Sequence, residues 1–393
     1  MGKRITITSR RRSISETLLG TTLEHASYQK VRLSELEHQD FPFADCKQLV
    51  TILLDIHSVI IDELDSLLTE IRKNPNDKEI QRDAEIGARR FGHLLAFLHS
   101  SLELLEFSGR SHISQGSVYL LGGLTSHFGR TERFILVPSY EFNYSYTDVL
   151  HHIIKATEDA IPAMQRKLGK DVNRIAVLSY PNVYRENVLS NCLLGHEVGH
   201  YVVEQAGLVR DLVAQIQLNS NLLQKVVDDY RRGRIGQTAI SDFFATESVK
   251  AGIMQETSQT LTSWITELAS DVFGFRTLGP VCLFALSKFL LALHNLDEST
   301  DDHPSARIRL SLLLDQFEKK GFANELKGVN DKDKKVANSI LDYFDRLKVF
   351  ISYPPGAPIT PKNELLSDAI TKLQDAITIA IDNTIDSNKY GFC

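Results

Sequence analysis

Apolar side chains recur at helical spacing through residues 46–73 and 78–108. Leu49, Ile52, Leu53 and Ile56 mark one stripe, and Leu94, Leu95, Leu98, Leu102 and Leu105 mark the other. The polar break Lys73-Asn74-Pro75-Asn76-Asp77 between them predicts an antiparallel helix pair. Between about 116 and 180 the pattern changes to β-prone runs, Ser117–Gly123, Arg133–Pro138 and Arg174–Pro181, interrupted by a helical stretch from about Thr147 to Lys167. A small sheet with a helix laid on it is expected there. From 183 onward the pattern is helical almost throughout, with helices expected at about 184–206, 209–231, 239–278, 281–295, 305–320, 333–350 and 363–386. Gly279-Pro280 and Lys319-Lys320-Gly321 supply two of the stops, a glycine past the helix end in each case.

Composition agrees with this helical reading. Gly 22 and Pro 11 make up about 8% of the chain against roughly 12% on average, which disfavours a turn-rich β fold. The 393 residues, 42% of them hydrophobic, suffice for one large or two modest cores. A net charge of -6 offers no field for a polyanion, so nucleic acid is not an expected partner. Cys46, Cys192, Cys282 and Cys393 lie far apart with no C-x-x-C, which points to free thiols in a reducing compartment and a cytoplasmic location. The most apolar stretch, Leu278 to Leu296, is interrupted by Pro280, Lys288, His294 and Asn295, so it reads as a buried helix and no integral membrane segment is expected. The basic N-terminus, through Glu16, lacks an apolar core and reads as a solvated arm.

The sharpest chemical signal is His196-Glu197-Val198-Gly199-His200, an H-E-x-x-H in a helical segment. Residues four apart share a helix face, so two imidazoles can address one ion, while Glu197 sits about 100° round the helix, where a base for a metal-bound water belongs. Catalytic zinc normally takes three protein ligands. The continuation H-x-x-G-x-x-H is absent, because Val203 and Ala206 hold the required positions. The alternative is a carboxylate from another helix. Glu267 and Asp271 form an E-x-x-x-D pair among Leu261, Trp264, Ile265, Leu268, Val272 and Phe273, where unpaired carboxylates would be costly. Glu267 can then ligate while Asp271 holds an imidazole N–H from behind. Glu204 is a weaker third-ligand candidate that more naturally faces solvent. His303, ahead of Pro304 at the mouth of a helix, can stabilise an oxyanion, and the acidic loop Asp297–Asp302 would favour its protonated form. Tyr140, Phe142, Tyr144 and Tyr146 alternate with polar residues, a pattern that suits either an edge strand pairing with an extended peptide or a piece of core.

Taken together, HEVGH at 196–200, ELASD at 267–271 and HPSARIR at 303–309 resemble the gluzincin zinc peptidases of the HtpX and CAAX-prenyl-endopeptidase type. The resemblance spans residues 180–312. It implies one Zn2+ per chain held by His196, His200 and Glu267, with Glu197 as the base, Asp271 behind the ligands, and His303 with Arg309 supporting the transition state or the site geometry. It further implies a zinc-dependent endopeptidase whose partner is a protein or peptide substrate. The alternative is a catalytically inactive gluzincin-like zinc-binding regulatory or interaction protein. The expected fold class is mainly α (α+β), a helical gluzincin-like core with a small β-sheet preceding the active-site helix. The expected organisation is an N-terminal arm and helical pair over 1–115 as scaffold or cover, a metallopeptidase core over 116–325, and C-terminal helices over 326–393 packed on that core.

Overall fold

In the computed structural model, which describes residues 13–125, 132–141, 143–161, 174–234, 242–293, 295–355 and 359–386, the chain is mainly helical with a small three-stranded sheet. It divides into two units, one made of Met1–Val118, Arg130–Glu141 and Thr147–Ser179, the other of Tyr119–Gly129, Phe142–Tyr146 and Tyr180–Cys393.

The first unit is built on three long helices, α1 (Ile14–Leu36), α2 (Ala44–Lys73) and α3 (Lys78–Phe107). Ser13 caps α1 by accepting from the Glu16 N–H, and Asp77 caps α3 by accepting from Glu79 and Ile80, which satisfies donors that a helix start otherwise leaves open. Contacts between helix ends give the directions. Ser108 donates to the Cys46 sulfur and Arg72 to Glu16, so α2 runs against both neighbours, while Gln29 reaches the Leu95 carbonyl and Ser15 reaches Glu85, so α1 and α3 run together. The expected α2–α3 pair is therefore present, but it is completed by a third helix. The buried face of α1 mixes Leu19, Ala26 and Leu33 with Ser15, Thr22 and Gln29, and so carries little apolar periodicity. Residues 14–16, expected in a solvated arm, open this helix; the rest of that arm, residues 1–12, falls outside the described residues.

A second departure concerns Ser117–Gly123, which is not a strand. It lies within helix α4 (Gln115–Thr125), where the Ser114 hydroxyl accepts from the Ser117 N–H as an N-terminal cap and Leu121 and Leu124 turn inward. The serine three positions ahead outweighed the β-prone side chains. The other two runs are strands as expected, β1 (Glu132–Ser139) and β3 (Arg174–Pro181). They are joined by a short β2 (Ser145–Asp148) in the order β1-β3-β2. Helix α5 (Val149–Ala160) follows β2 and packs on α3; its expected continuation from 162 to Lys167 lies outside the described residues.

In the second unit the expected helix at 184–206 is broken into a 3-10 turn (Asn182–Tyr184), α6 (Val188–Asn191) and α7 (Leu194–Gln205), because the Asn187 side chain caps a new start by accepting from Ser190. The helix expected at 209–231 is likewise two, α8 (Leu208–Val213) and α9 (Ser220–Arg234). Asn219 makes the second start by accepting from Asn221 and Leu222. The 37-residue α10 (Asp242–Leu278) is followed by α11 (Pro280–Leu293), α12 (Ala306–Lys319), α13 (Phe322–Lys327), α14 (Lys334–Ser352) and α15 (Pro361–Asp386). Gly279 and Gly321 take φ of 68° and 79° at the two stops read from the sequence, a backbone region that favours glycine. Pro304 lies outside α12, whose cap is Ser305. Helix α15 packs along α9 and α10. Cys46, Cys192 and Cys282 are free and buried, while Cys393 is outside the described residues. No helix among the described residues is long and apolar enough to cross a membrane.

Candidate metal centre

The site forms where α7 lies against α10 at close range. A methyl group at position 199 would come within 2.8 Å of the Ser270 Cα and carbonyl oxygen, and one at 274 within 3.0 Å of the His196 nitrogen and the Cys282 sulfur. Glycine at 199 and 274 is what lets the two backbones approach. The approach sets the register: His196 and His200 on one helix face Glu267 and Asp271, also four apart, on the other.

Three side chains from these helices converge. His196 Nε2 and His200 Nε2 are 3.0 Å apart, His196 Nε2 lies 3.5 Å from Glu267 Oε2, and His200 Nε2 lies 3.3 Å from Glu267 Oε1. Two imidazole nitrogens and a carboxylate oxygen, all within 4.8 Å of one another, form a group able to hold a metal ion. Glu204, the weaker candidate, is exposed and accepts from the Tyr146 hydroxyl instead.

Behind the trio stands a buried layer. Asp271, fully buried, places Oδ1 2.8 Å from His196 Nδ1. Arg309, from the first turn of α12, donates to both Asp271 oxygens at 2.7 Å and sits 3.0 Å from Glu267 Oε2 through Nη1. His303 Nδ1 is 3.3 Å from the same Oε2 atom. Its loop is anchored to α10 by Trp264, whose ring N–H donates to the Thr300 carbonyl, and is held within itself by the Thr300 hydroxyl, which accepts from the His303 N–H. Glu267 is thus approached by His196, His200, His303 and Arg309, while Asp271 holds His196 and Arg309 from behind.

The electrostatics follow from burial. Burial by itself would raise the Glu267 carboxyl. The Arg309 guanidinium and hydrogen bonds from His200 and His303 outweigh it and hold the group well below the usual carboxylate range. Asp271 is lowered by the same contest, with Arg309 and His196 prevailing over burial. Glu197 behaves oppositely. Burial pushes its carboxyl up, Glu267 adds to the push, and the neighbouring His196, His200 and Arg309 only partly counter it. Burial disfavours the charged ring of His200, but its hydrogen bond to Glu267 and the charge of Glu197 raise it on balance. His303 is raised chiefly by Glu267. The acidic loop contributes little, since Asp297 is engaged by Arg307 and Asp301 by Lys362. One guanidinium facing two carboxylates leaves an excess of negative charge in a buried place, which favours the charged imidazoles of His200 and His303 and would equally favour a cation between the rings.

The group lies at the wall of a cleft of about 770 Å3. Glu197 lines it beside the trio, His303 and Glu298 stand at its exposed rim, and Asn143–Tyr146 and Leu193 form part of the wall. Tyr144 is buried there, its hydroxyl donating to Asn191, whereas Tyr140 is exposed and Phe142 is outside the described residues. Leu286, Phe289 and Leu290 complete the wall, and sequence reasoning missed them. Their spacing was visible, but an apolar face toward a cleft reads the same as one toward a core.

Comparison of the chain with protein-family models, with curated proteins and with solved structures found no match.

Proposed function

We propose that this chain is a zinc-dependent endopeptidase of the gluzincin type, which hydrolyses peptide bonds with a metal-activated water. The observation that carries the reading is the convergence of His196, His200 and Glu267 beside a buried Glu197 in one cleft. Tetrahedral zinc with bonds of about 2.0–2.1 Å separates its ligand atoms by about 3.3 Å. Two of the separations here, 3.0 Å between the imidazole nitrogens and 3.3 Å from His200 Nε2 to Glu267 Oε1, are of that size. With Oε2 of Glu267 engaged by Arg309 and His303, Oε1 is the oxygen left to ligate.

Zinc bound there supplies a Lewis acid that acidifies water and polarises a carbonyl. The remaining steps belong to the protein. Glu197 accepts the proton of the attacking water and returns it to the departing amine, and a carboxyl raised by burial serves both directions better than an ordinary one. His303, at the rim with more than half its side chain exposed, donates to the oxyanion that develops on the substrate. Arg309 and Asp271 fix the orientation of Glu267 and His196. Residues 143–146 offer backbone along which an extended peptide can lie. The sequence and site support a protein or peptide substrate, and the free, buried cysteines support a reducing, cytoplasmic setting.

Replacing Glu197 by Gln separates this reading from the inactive zinc-binding alternative. The expected result is one zinc per chain retained and peptide cleavage lost. A Glu197→Gln protein that cleaves as well as the wild type would overturn the mechanism.

A further inference from the structure

Resting on the peptidase reading, we infer that Trp264 is a positioning residue: through Thr300 it holds His303 where that side chain can reach the substrate. Glu256, Thr260, Trp264, Glu267 and Asp271 follow one another at steps of three or four positions, so they form one stripe along α10. The segment from Thr300 to Arg309 runs along this stripe and is gripped by it at successive turns. Asp301 accepts from the Thr260 hydroxyl at 3.4 Å, and the Thr300 carbonyl accepts from the Trp264 ring N–H at 2.9 Å. His303 Nδ1 lies 3.3 Å from Glu267 Oε2, and Arg309 donates to Asp271. At the outer end Lys362, from the first turn of α15, bridges Glu256 and Asp301 at 2.7 Å from each.

Trp264 is the strongest of the grips on the loop itself. The Thr260 contact is long, and the Lys362 pairs lie at the surface, where ion pairs hold little and salt screens them. Trp264 is fully buried, and its N–H, a donor that burial makes costly to leave unpaired, finds its partner in the loop. Burial does little to fix the loop otherwise, since Glu298, Thr300, Asp301, Asp302 and His303 are all exposed. From Thr300 the hold passes directly to His303. The Thr300 N–H donates to the His303 carbonyl and the His303 N–H donates to the Thr300 hydroxyl, both at 2.9 Å, so the turn between them is closed twice. On its other side His303 meets the buried Pro304, whose ring fixes the backbone. His303 is therefore set between a closed turn and a proline, and the bond from Trp264 decides where that turn stands relative to Glu267. A group misplaced by about 1 Å can cost about 100-fold in rate, and an oxyanion donor lost outright costs about 100–1000-fold.

The test exchanges Trp264 for benzothienylalanine, which keeps the bicyclic shape but carries sulfur in place of the N–H. The chain holds one tryptophan, so expression in a tryptophan auxotroph alters position 264 alone. With the zinc-loaded full chain and a quenched fluorogenic peptide that the wild type cleaves, kcat is expected to fall about 10–100-fold while KM changes less than about threefold. In a His303→Ala background the same exchange should change kcat less than about threefold, because the group being positioned is gone. Thr300→Val, at an exposed position, cuts the second link and should repeat both results. No loss in either background, or an equal loss in both, would overturn the inference. Hydrogen exchange supplies a readout independent of cleavage: residues 297–305 should exchange at least about tenfold faster in both variants, with 265–275 of α10 unchanged. Should the wild type cleave no peptide above the Glu197→Gln level, the peptidase reading is refuted and exchange alone decides. Faster exchange confined to 297–305 then upholds the hold of Trp264 on His303, and unchanged or general exchange overturns it.

Discussion

Adding one methyl group at Gly199 should damage the metal centre more than the fold. The new Cβ would stand 2.8 Å from Ser270 Cα, 2.8 Å from its carbonyl oxygen and 3.1 Å from its Cβ, and the first two are backbone atoms that cannot rotate away. Relief to an ordinary contact near 3.5 Å requires α7 and α10 to part by roughly 0.7 Å. Overpacking of this kind destabilises by about 1–3 kcal/mol, offset in part by the up to about 1 kcal/mol that alanine gains over glycine in a helix. The fold should survive. The candidate ligands, however, lie on both helices, and metal bonds tolerate only about 0.2 Å of error. A zinc affinity lower by about 10–100-fold is expected, the size seen when the supports of metal ligands are lost. Gly195→Ala is the control, because its nearest obstacle, at 2.8 Å, is the tip of the flexible Leu278 side chain. Competition with a chromophoric chelator gives the affinities, and thermal unfolding monitors the fold. Wild-type affinity in Gly199→Ala, or a larger loss in Gly195→Ala than in Gly199→Ala, would show that the helix spacing does not set the metal geometry.

Three further outcomes follow from the same physics. Arg309→Lys replaces a two-pronged donor to Asp271 with a single ammonium and should destabilise the second unit by about 3 kcal/mol, read by urea unfolding; a change below about 0.5 kcal/mol would show that the buried pair does not matter. Asp271→Asn removes the charge behind His196 and should weaken zinc binding about 10–100-fold with cleavage falling alongside, while unchanged affinity would exclude the supporting role. His57, fully buried, has its pKa pushed below the ordinary 6.5 by burial, which outweighs the Leu53 carbonyl facing Nδ1, while Gln29 Oε1 faces Nε2 at 2.9 Å. The unfolded chain therefore binds the extra proton first, so stability is full above pH about 6.5 and declines below it by up to about 1.4 kcal/mol per pH unit. Urea midpoints between pH 7.5 and 5.5 should fall less in His57→Gln than in wild type; parallel slopes would contradict this.

What could be read in advance depended on whether a single periodicity governed the segment. Helices α2 and α3 were legible because Leu49, Leu53 and Ile56, or Leu98, Leu102 and Leu105, repeat every three or four positions. Helix α1 was not, because Thr22 and Gln29 occupy its inner face; Gln29 is spent on a bond to the Leu95 carbonyl, a tertiary contact with no local signature. At the site, His196, Glu197 and His200 were legible as a local motif, and Glu267 with Asp271 as carboxylates stranded among apolar residues. The role of Arg309 as the clamp on both carboxylates depends on a bend of the chain between α11 and α12 that only the folded structure displays. The cleft wall at Leu286, Phe289 and Leu290 carries the pattern of any buried helix, and Tyr144 could equally have been core.

Zinc held jointly by His196, His200 and Glu267 is what the proposed chemistry requires. A crystal structure of the zinc-loaded protein, with anomalous scattering collected at the zinc edge, would locate the ion. A single strong peak is expected, bonded to His196 Nε2, His200 Nε2 and a Glu267 carboxylate oxygen at about 2.0–2.2 Å. A peak at other side chains, or no peak between the two imidazoles at saturating zinc, would contradict it.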